Sequence, residues 1–202
     1  MTKRRLVLAS ASPRRRELLS SLGLAFDVIP STVDESLAVA SLGEAPTPDR
    51  IVRALAEAKA LDVAARTKGD ALVLGADTIV VVDGVVLGKP ESPDDAAAML
   101  LTLAGRTHQV YTGLSLIEVS EGAPGIPDSR SDATDVEFEA FDMERARAYV
   151  ATGEPLDKAG GYGIQALGAL LIPRISGDYF TVVGLPLYTL GQMLEAAGVR
   201  ML

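Results

Sequence analysis

Leu6-Val7-Leu8-Ala9-Ser10-Ala11-Ser12-Pro13-Arg14-Arg15-Arg16-Glu17 decides the architecture. Leu6 to Ala9 is a short apolar run that reads as a buried strand. Ser12-Pro13 then supplies an N-cap followed by proline at the first helical position, so the strand passes almost directly into a helix. That helix runs to about Leu22 and stops at Gly23. Three cations fall in its first turn, where the macrodipole is already positive, and each costs a few tenths to about 1 kcal/mol relative to an acidic residue. A bound polyanion reverses the sign, because backbone N–H groups and guanidinium forks then converge on the same phosphate oxygens. The place is also right, since open α/β sheets bind ligands just beyond the carboxyl ends of their strands. The bland alternative is a solvated basic turn partly compensated by Glu17. Ser10 and Ser12 could donate hydroxyls to the same phosphates, and one of them could instead cap the helix.

Outward from this unit, Phe26 to Ile29 reads as a second strand, and Ser36 to Pro48 as a loop of small residues, Gly and Pro. A long helix follows from Asp49 to about Thr67, with Ile51, Leu55, Ala58 and Leu61 spaced for one buried face. Ala71 to Gly75 and Thr78 to Val82 form a β-branched apolar run interrupted by Ala76-Asp77. Asp83-Gly84 turns it into Val85 to Leu87. Pro93 to Leu103 is helical, strands fall at about Gln109 to Val119 and Ala133 to Phe138, and the polar stretch between them reads as an exposed hairpin loop. Met143 to Val150 (helix), Asp157 to Gly168 (glycine-rich), Ala169 to Ile175 (strand) and Leu185 to Ala197 (helix) complete the chain. Interleaved helices and strands, with both hairpins and crossovers, imply an α/β fold with a mixed central sheet flanked by helices.

Composition narrows the chemistry. The 202 residues suffice for one large domain, or two lobes sharing a sheet, and 48% hydrophobic content fills its core. A net charge of −8 argues against binding a nucleic-acid polymer, whose affinity comes from Lys and Arg neutralising phosphates. The chain has no cysteine and a single histidine, His108, so any metal must be held by oxygen. Leu6 to Ala9 is too short for a secretory h-region, and no segment approaches the roughly 20 apolar residues of a membrane span, so a cytoplasmic location is expected.

Asp77 is the conspicuous carboxylate. Unpaired within a buried strand it would cost several kcal/mol, so a metal ion or a lysine is the expected partner; the plainer alternative is a strand-end aspartate making turn hydrogen bonds. Asp34-Glu35 could bring a second carboxylate. Lys59 falls on the inward side of its helix and Lys89 follows the hairpin in Gly88-Lys89-Pro90, although solvation is the usual fate of either. Two motif matches fail. Gly84 to Gly88 leaves three intervening residues where a P-loop needs four, with Pro90 in place of its Ser or Thr, and Gly161 to Ala166 satisfies the dinucleotide pattern without a preceding strand.

Together with the opening stretch, Gly75-Ala76-Asp77-Thr78, Gly88-Lys89-Pro90, Gly105-Arg106-Thr107-His108-Gln109-Val110, Asp157-Lys158-Ala159-Gly160-Gly161-Tyr162-Gly163-Ile164-Gln165 and Val183-Gly184-Leu185-Pro186 closely resemble the Maf family of nucleotide pyrophosphatases, from Leu6 to about Leu194. The resemblance implies a single Maf-like domain over residues 1–202, with two lobes around a nucleotide cleft, similar to inosine triphosphate pyrophosphatases. It also implies hydrolysis of a nucleoside triphosphate to the monophosphate and pyrophosphate with Mg²⁺ or Mn²⁺. It assigns phosphate binding to Ser10, Arg14 and Arg15, the general base to Asp77, a metal ligand to Glu35, and places in the cleft to Lys59 and Lys89; Asp77 is then expected to hold the metal together with Glu35. Thr78 and Gln165 resemble the branch acting on dTTP and UTP, as opposed to 7-methyl-GTP. A carboxamide suits this, since its donor and acceptor match O4 and N3–H of thymine or uracil. The family usually has glycine after this glutamine where the chain has Ala166, which would strain the loop if φ is positive there. His108 is read as structural. A nucleotide-sensing regulator of septum formation is the competing class, and a homodimer is a family-level expectation.

Overall fold

The computed structural model describes residues 4–201, and its element order is β1 (Arg5–Leu8), α1 (Pro13–Ser21), β2 (Phe26–Val28), α2 (Glu35–Ala40), α3 (Pro48–Ala64), β3 (Ala71–Val82), β4 (Val85–Leu87), α4 (Pro93–Leu103), β5 (Thr107–Ser120), β6 (Ala123–Pro124), β7 (Asp128–Glu137), α5 (Met143–Val150), β8 (Arg174–Ser176), α6 (Tyr179–Val183) and α7 (Leu187–Ala196), with short 3-10 turns between α5 and β8. Strands are hydrogen-bonded in the order β2-β1-β3-β5-β7-β8, with β4 on β3 and β6 on β5. β1 is parallel to β2 and β3, while β4, β6 and β8 pair antiparallel with β3, β5 and β7, which makes the sheet mixed as expected. No helix among the described residues is long and apolar enough to cross a membrane.

The chain divides into two compact units: one holds the described residues up to Asp77, Thr112–Asp132 and those from Gly184 on, the other Thr78–Tyr111 and Ala133–Val183. In the first unit, Leu6, Leu8, Leu72, Leu74, Leu114 and Leu116 point to one face of the strands and pack on Leu19 of α1 and on Leu190, Met193 and Leu194 of α7. The opposite face, Val7, Val73, Ile117 and Val119, packs on Ala60, Val63 and Ala64 of α3. Alternation along each strand is what splits these residues between two layers. Two glycines let α3 come very close: a Cβ on Gly75 would lie 2.1 Å from the carbonyl oxygen of Ala56, and one on Gly113 would lie 2.2 Å from that of Val52. Either substitution would push the helix off the sheet.

The second unit is built around Phe138, with Val80, Val82, Leu100, Leu103, Val110, Val136, Tyr149 and Tyr162. Asp83 (φ 50°) and Gly84 (φ 78°) form the two-residue hairpin that the sequence predicts, with both φ positive as a type I′ turn requires.

Three expectations fail. The segment expected to be a loop from Ser36 begins with helix α2, because the Asp34 carboxylate accepts from the backbone N–H groups of Ser36 (2.9 Å) and Leu37 (3.2 Å) and caps it. Of the strand expected over Ala169 to Ile175, only Arg174–Ser176 pairs; Ala166–Leu171 is a 3-10 turn, and Pro173 supplies no donor to a ladder. α6 is an additional short helix in a stretch where the sequence suggested no element.

Candidate functional site

β1 and β3 run parallel with Leu8 opposite Leu74, and the N–H of Ala9 donates to the carbonyl of Leu74 at 2.8 Å. Ser10 therefore leaves the sheet at the carboxyl end of β1, alongside the part of β3 that carries Ala76 and Asp77. Asp77 is 8% exposed. Lys59, on α3 above that strand, donates to Asp77 Oδ1 at 2.5 Å and pairs with Glu35 Oε1 at 2.8 Å. The lysine and Asp77 side chains are only 13% and 11% exposed, whereas Glu35 is 57% exposed. A lysine is one of the two partners the sequence allows for Asp77, and Lys59 holds Glu35 as well. Asp34 and Glu35, adjacent in sequence, have separate duties: one caps α2 and the other faces the ammonium.

Arg15 is fastened in place. Its Nε donates to the carbonyl of Gly184 (2.8 Å), and Nη1 donates to the carbonyl of Ala76 (2.8 Å) and to Ser10 Oγ (3.2 Å). Burial lowers its pKa, the neighbouring Asp77 charge opposes that shift, and Arg14 adds to it. Guanidinium remains charged regardless. Arg15 thus joins the start of α1 to β3 and to the residues before α7, a task that the expectation of pure phosphate binding does not include. Arg14 is half-buried one position earlier. Ser12 occupies the N-cap position as expected, but its hydroxyl makes no capping bond; its N–H donates to Ser10 Oγ at 3.3 Å. Ser10 accepts in both of its contacts, which leaves its own O–H to donate elsewhere.

Ser10, Arg15, Glu35, Lys59 and Asp77 therefore converge within the first unit. Sequence reasoning missed Asp62 there. Its Oδ2 accepts from Ser31 Oγ and from the N–H of Thr32, both at 2.8 Å, and so ties the approach to α2 onto α3. A carboxylate spaced for the polar side of an amphipathic helix gives no signal of that.

Thr78, Lys89 and Gln165 belong to the second unit. Lys89 is exposed just after β4, and Gln165 is half-buried at the head of the Ala166–Leu171 turn. Ala166 has φ 52°, so the substitution of alanine for the family's glycine does fall in the left-handed region. Tyr162, three residues before Gln165, hydrogen-bonds His108 Nε2 at 2.7 Å, and both rings stack edge-on against Phe138. Burial pushes the His108 pKa down to about 4. Among the described residues His108 Nδ1 has no partner, so the ring cannot satisfy both N–H groups of an imidazolium and stays neutral. The expected structural role fits this placement.

Fold and site define an α/β protein with an acid–lysine–arginine centre beside the carboxyl end of β1 and the middle of β3. The chain belongs to the Maf family: the Maf-like protein model matches residues 5–197. It is 55% identical over 195 residues to a dTTP/UTP pyrophosphatase of Moorella thermoacetica, covering 96% of each chain. It is 46% identical over 191 residues to a dTTP/UTP pyrophosphatase of Alkaliphilus metalliredigens, covering 95% of each. Among solved structures, the Staphylococcus aureus Ham1 protein aligns at a TM-score of 0.48 and 11% identity over 96% of this chain and 100% of that one, too remote to speak to chemistry.

Proposed function

We propose that this chain is a nucleoside triphosphate pyrophosphatase that hydrolyses dTTP and UTP to the monophosphate and pyrophosphate with a divalent metal, Mg²⁺ or Mn²⁺. The observation that carries the reading is the convergence of Asp77 and Glu35 on one half-buried ammonium beside an arginine-rich helix start. Two carboxylates close enough to share Lys59 Nζ fit a cation held jointly by protein and substrate. Among the described residues no group of three His, Asp or Glu side chains could hold a metal. Magnesium bound with nucleotides commonly takes one or two carboxylates and fills its remaining positions with phosphate oxygens and water. Glu35 and Asp77 would hold such an ion, which supplies neutralisation of triphosphate charge and a more acidic bound water.

The chain's own residues do the rest. Ser10 and Arg14 donate to phosphate oxygens, while Arg15 keeps the start of α1 against β3 so that those donors are held in place. Lys59 orients both carboxylates and adds positive charge next to the leaving pyrophosphate. Asp77 takes the proton of the attacking water or holds that water in line. Thr78 and Lys89 complete the substrate contacts on the pattern of the family. Gln165 meets the base, its carboxamide pairing with O4 and N3–H of uracil or thymine. Relatives of this length and identity named as dTTP/UTP pyrophosphatases support the substrate class.

The test is a pyrophosphate-release assay on dTTP, UTP, CTP and 7-methyl-GTP, with and without EDTA. Turnover of dTTP and UTP that disappears with EDTA is expected. Preference for 7-methyl-GTP would overturn the base assignment, and stoichiometric binding without hydrolysis would make the protein a sensor.

A further inference from the structure

Gln165 stands in a segment whose backbone is held from both sides by two residues outside it. Glu154, at the head of the 3-10 turn Glu154–Asp157, spends both carboxylate oxygens on that segment: Oε1 accepts from the N–H of Gly168 (3.2 Å) and from the hydroxyl of Tyr149 (2.9 Å), and Oε2 accepts from the N–H of Leu167 (3.2 Å). The Tyr149 hydroxyl accepts in turn from the N–H of Gly163 at 3.2 Å. Bonds therefore grip the chain two residues before Gln165 and two and three residues after it. Burial pushes the Tyr149 hydroxyl far above its ordinary range, so it stays a neutral donor to Glu154.

The segment is also folded tightly. A Cβ on Gly168 would lie 2.0 Å from the carbonyl oxygen of Gly163 and 2.6 Å from Tyr149 Oη. Ala166, between the gripped positions, holds φ 52°, a conformation that costs a non-glycine residue about 1–2 kcal/mol and persists only when its surroundings impose it. The charged acceptor of Glu154 is well suited to impose it, because hydrogen bonds to a carboxylate are stronger than those between neutral groups.

We infer that Glu154, acting with Tyr149, is the positioning residue that fixes the Gln165 carboxamide and so sets the preference for uracil and thymine. The inference rests on the reading that Gln165 meets the base. Glu154→Gln keeps the shape but presents an NH₂ group to a backbone N–H, so one grip becomes a clash of two donors.

The experiment compares wild type, Glu154→Gln, Gln165→Ala and the double variant, reading kcat and KM separately for dTTP and CTP. Cytosine presents the reverse donor and acceptor pattern at C4 and N3. Glu154→Gln should shrink the dTTP-to-CTP ratio of kcat/KM about tenfold, mainly through KM for dTTP, while kcat changes less than about twofold. Gln165→Ala should shrink it at least as much, and the double variant no further than Gln165→Ala alone. A ratio unchanged in Glu154→Gln but collapsed in Gln165→Ala overturns the role of Glu154 and leaves the Gln165 reading standing. A ratio unchanged in Gln165→Ala removes that reading itself. Additive losses in the double variant overturn the coupling. Should Glu154→Gln not fold, Tyr149→Phe deletes one hydroxyl and should shrink the ratio about threefold; no change there also overturns the inference.

Discussion

Lys59 Nζ lies 2.5 Å from Asp77 Oδ1, and the two side chains are only 13% and 11% exposed. Either charge alone at this depth would be costly, so each is tolerated through the other. The pair thus has a structural consequence that can be separated from catalysis. Lys59→Met should lower stability at neutral pH by about 2–4 kcal/mol, because Asp77 would stay buried without its counter-charge. Adding Asp77→Asn to that variant should restore much of the loss. Urea unfolding of the two variants and wild type is the check, and a double variant no more stable than Lys59→Met contradicts it.

Arg15 donates to two backbone carbonyls and to Ser10 Oγ, so Arg15→Ala should cost about 2–3 kcal/mol of stability in the same kind of measurement. Unfolding of Arg15→Ala at the wild-type urea midpoint would show that these bonds do not anchor the start of α1. Arg14→Ala should raise KM for dTTP, and an unchanged KM would remove Arg14 from phosphate binding.

His108 gives stability a dependence on pH. Its folded pKa, pushed down to about 4 by burial, lies below its ordinary value of 6.5, so the unfolded chain binds the proton more readily between those limits. The contribution is therefore whole above pH 6.5 and is lost as pH falls to about 4, about 3 kcal/mol in all. Wild type and His108→Gln should differ in the slope of unfolding free energy across that window. Parallel curves would mean that the imidazole takes up its proton as readily in the folded protein as in the unfolded chain.

Ala166 should be improvable. Glycine at φ 52° removes the left-handed penalty but regains unfolded-state entropy, for a net gain of about 0.5–1 kcal/mol. That corresponds to a rise in Tm of about 1–4 °C for a chain of this size. A fall in Tm for Ala166→Gly would place the strain elsewhere.

The elements legible in the sequence are those where local chemistry and burial agree. Pro93–Leu103 and Met143–Val150 are helices as expected, and Asp83-Gly84 turns the chain as its residue types require. Asp77 stands out because a carboxylate breaks an otherwise apolar strand, and the arginine cluster because it offends the helix dipole. What escaped detection depends on contacts distant in sequence. The cap of α2 was written in Asp34, but the small residues after it hid the helix. Asp62 and Glu154 act on backbone N–H groups of segments far along the chain, and nothing in their own neighbourhoods marks them out. Arg15 was legible as a cation at a helix start, but its bond to Gly184 follows only from the fold.

The account turns on Asp77 acting in phosphate chemistry as well as in an ion pair. Its most direct test is single-turnover release of pyrophosphate from dTTP by Asp77→Asn, which keeps the side-chain shape and leaves Lys59 its bond to Glu35, after circular dichroism confirms the fold. The result expected is loss of release by at least about a thousandfold with dTTP still bound. Release within a few fold of wild type would contradict it.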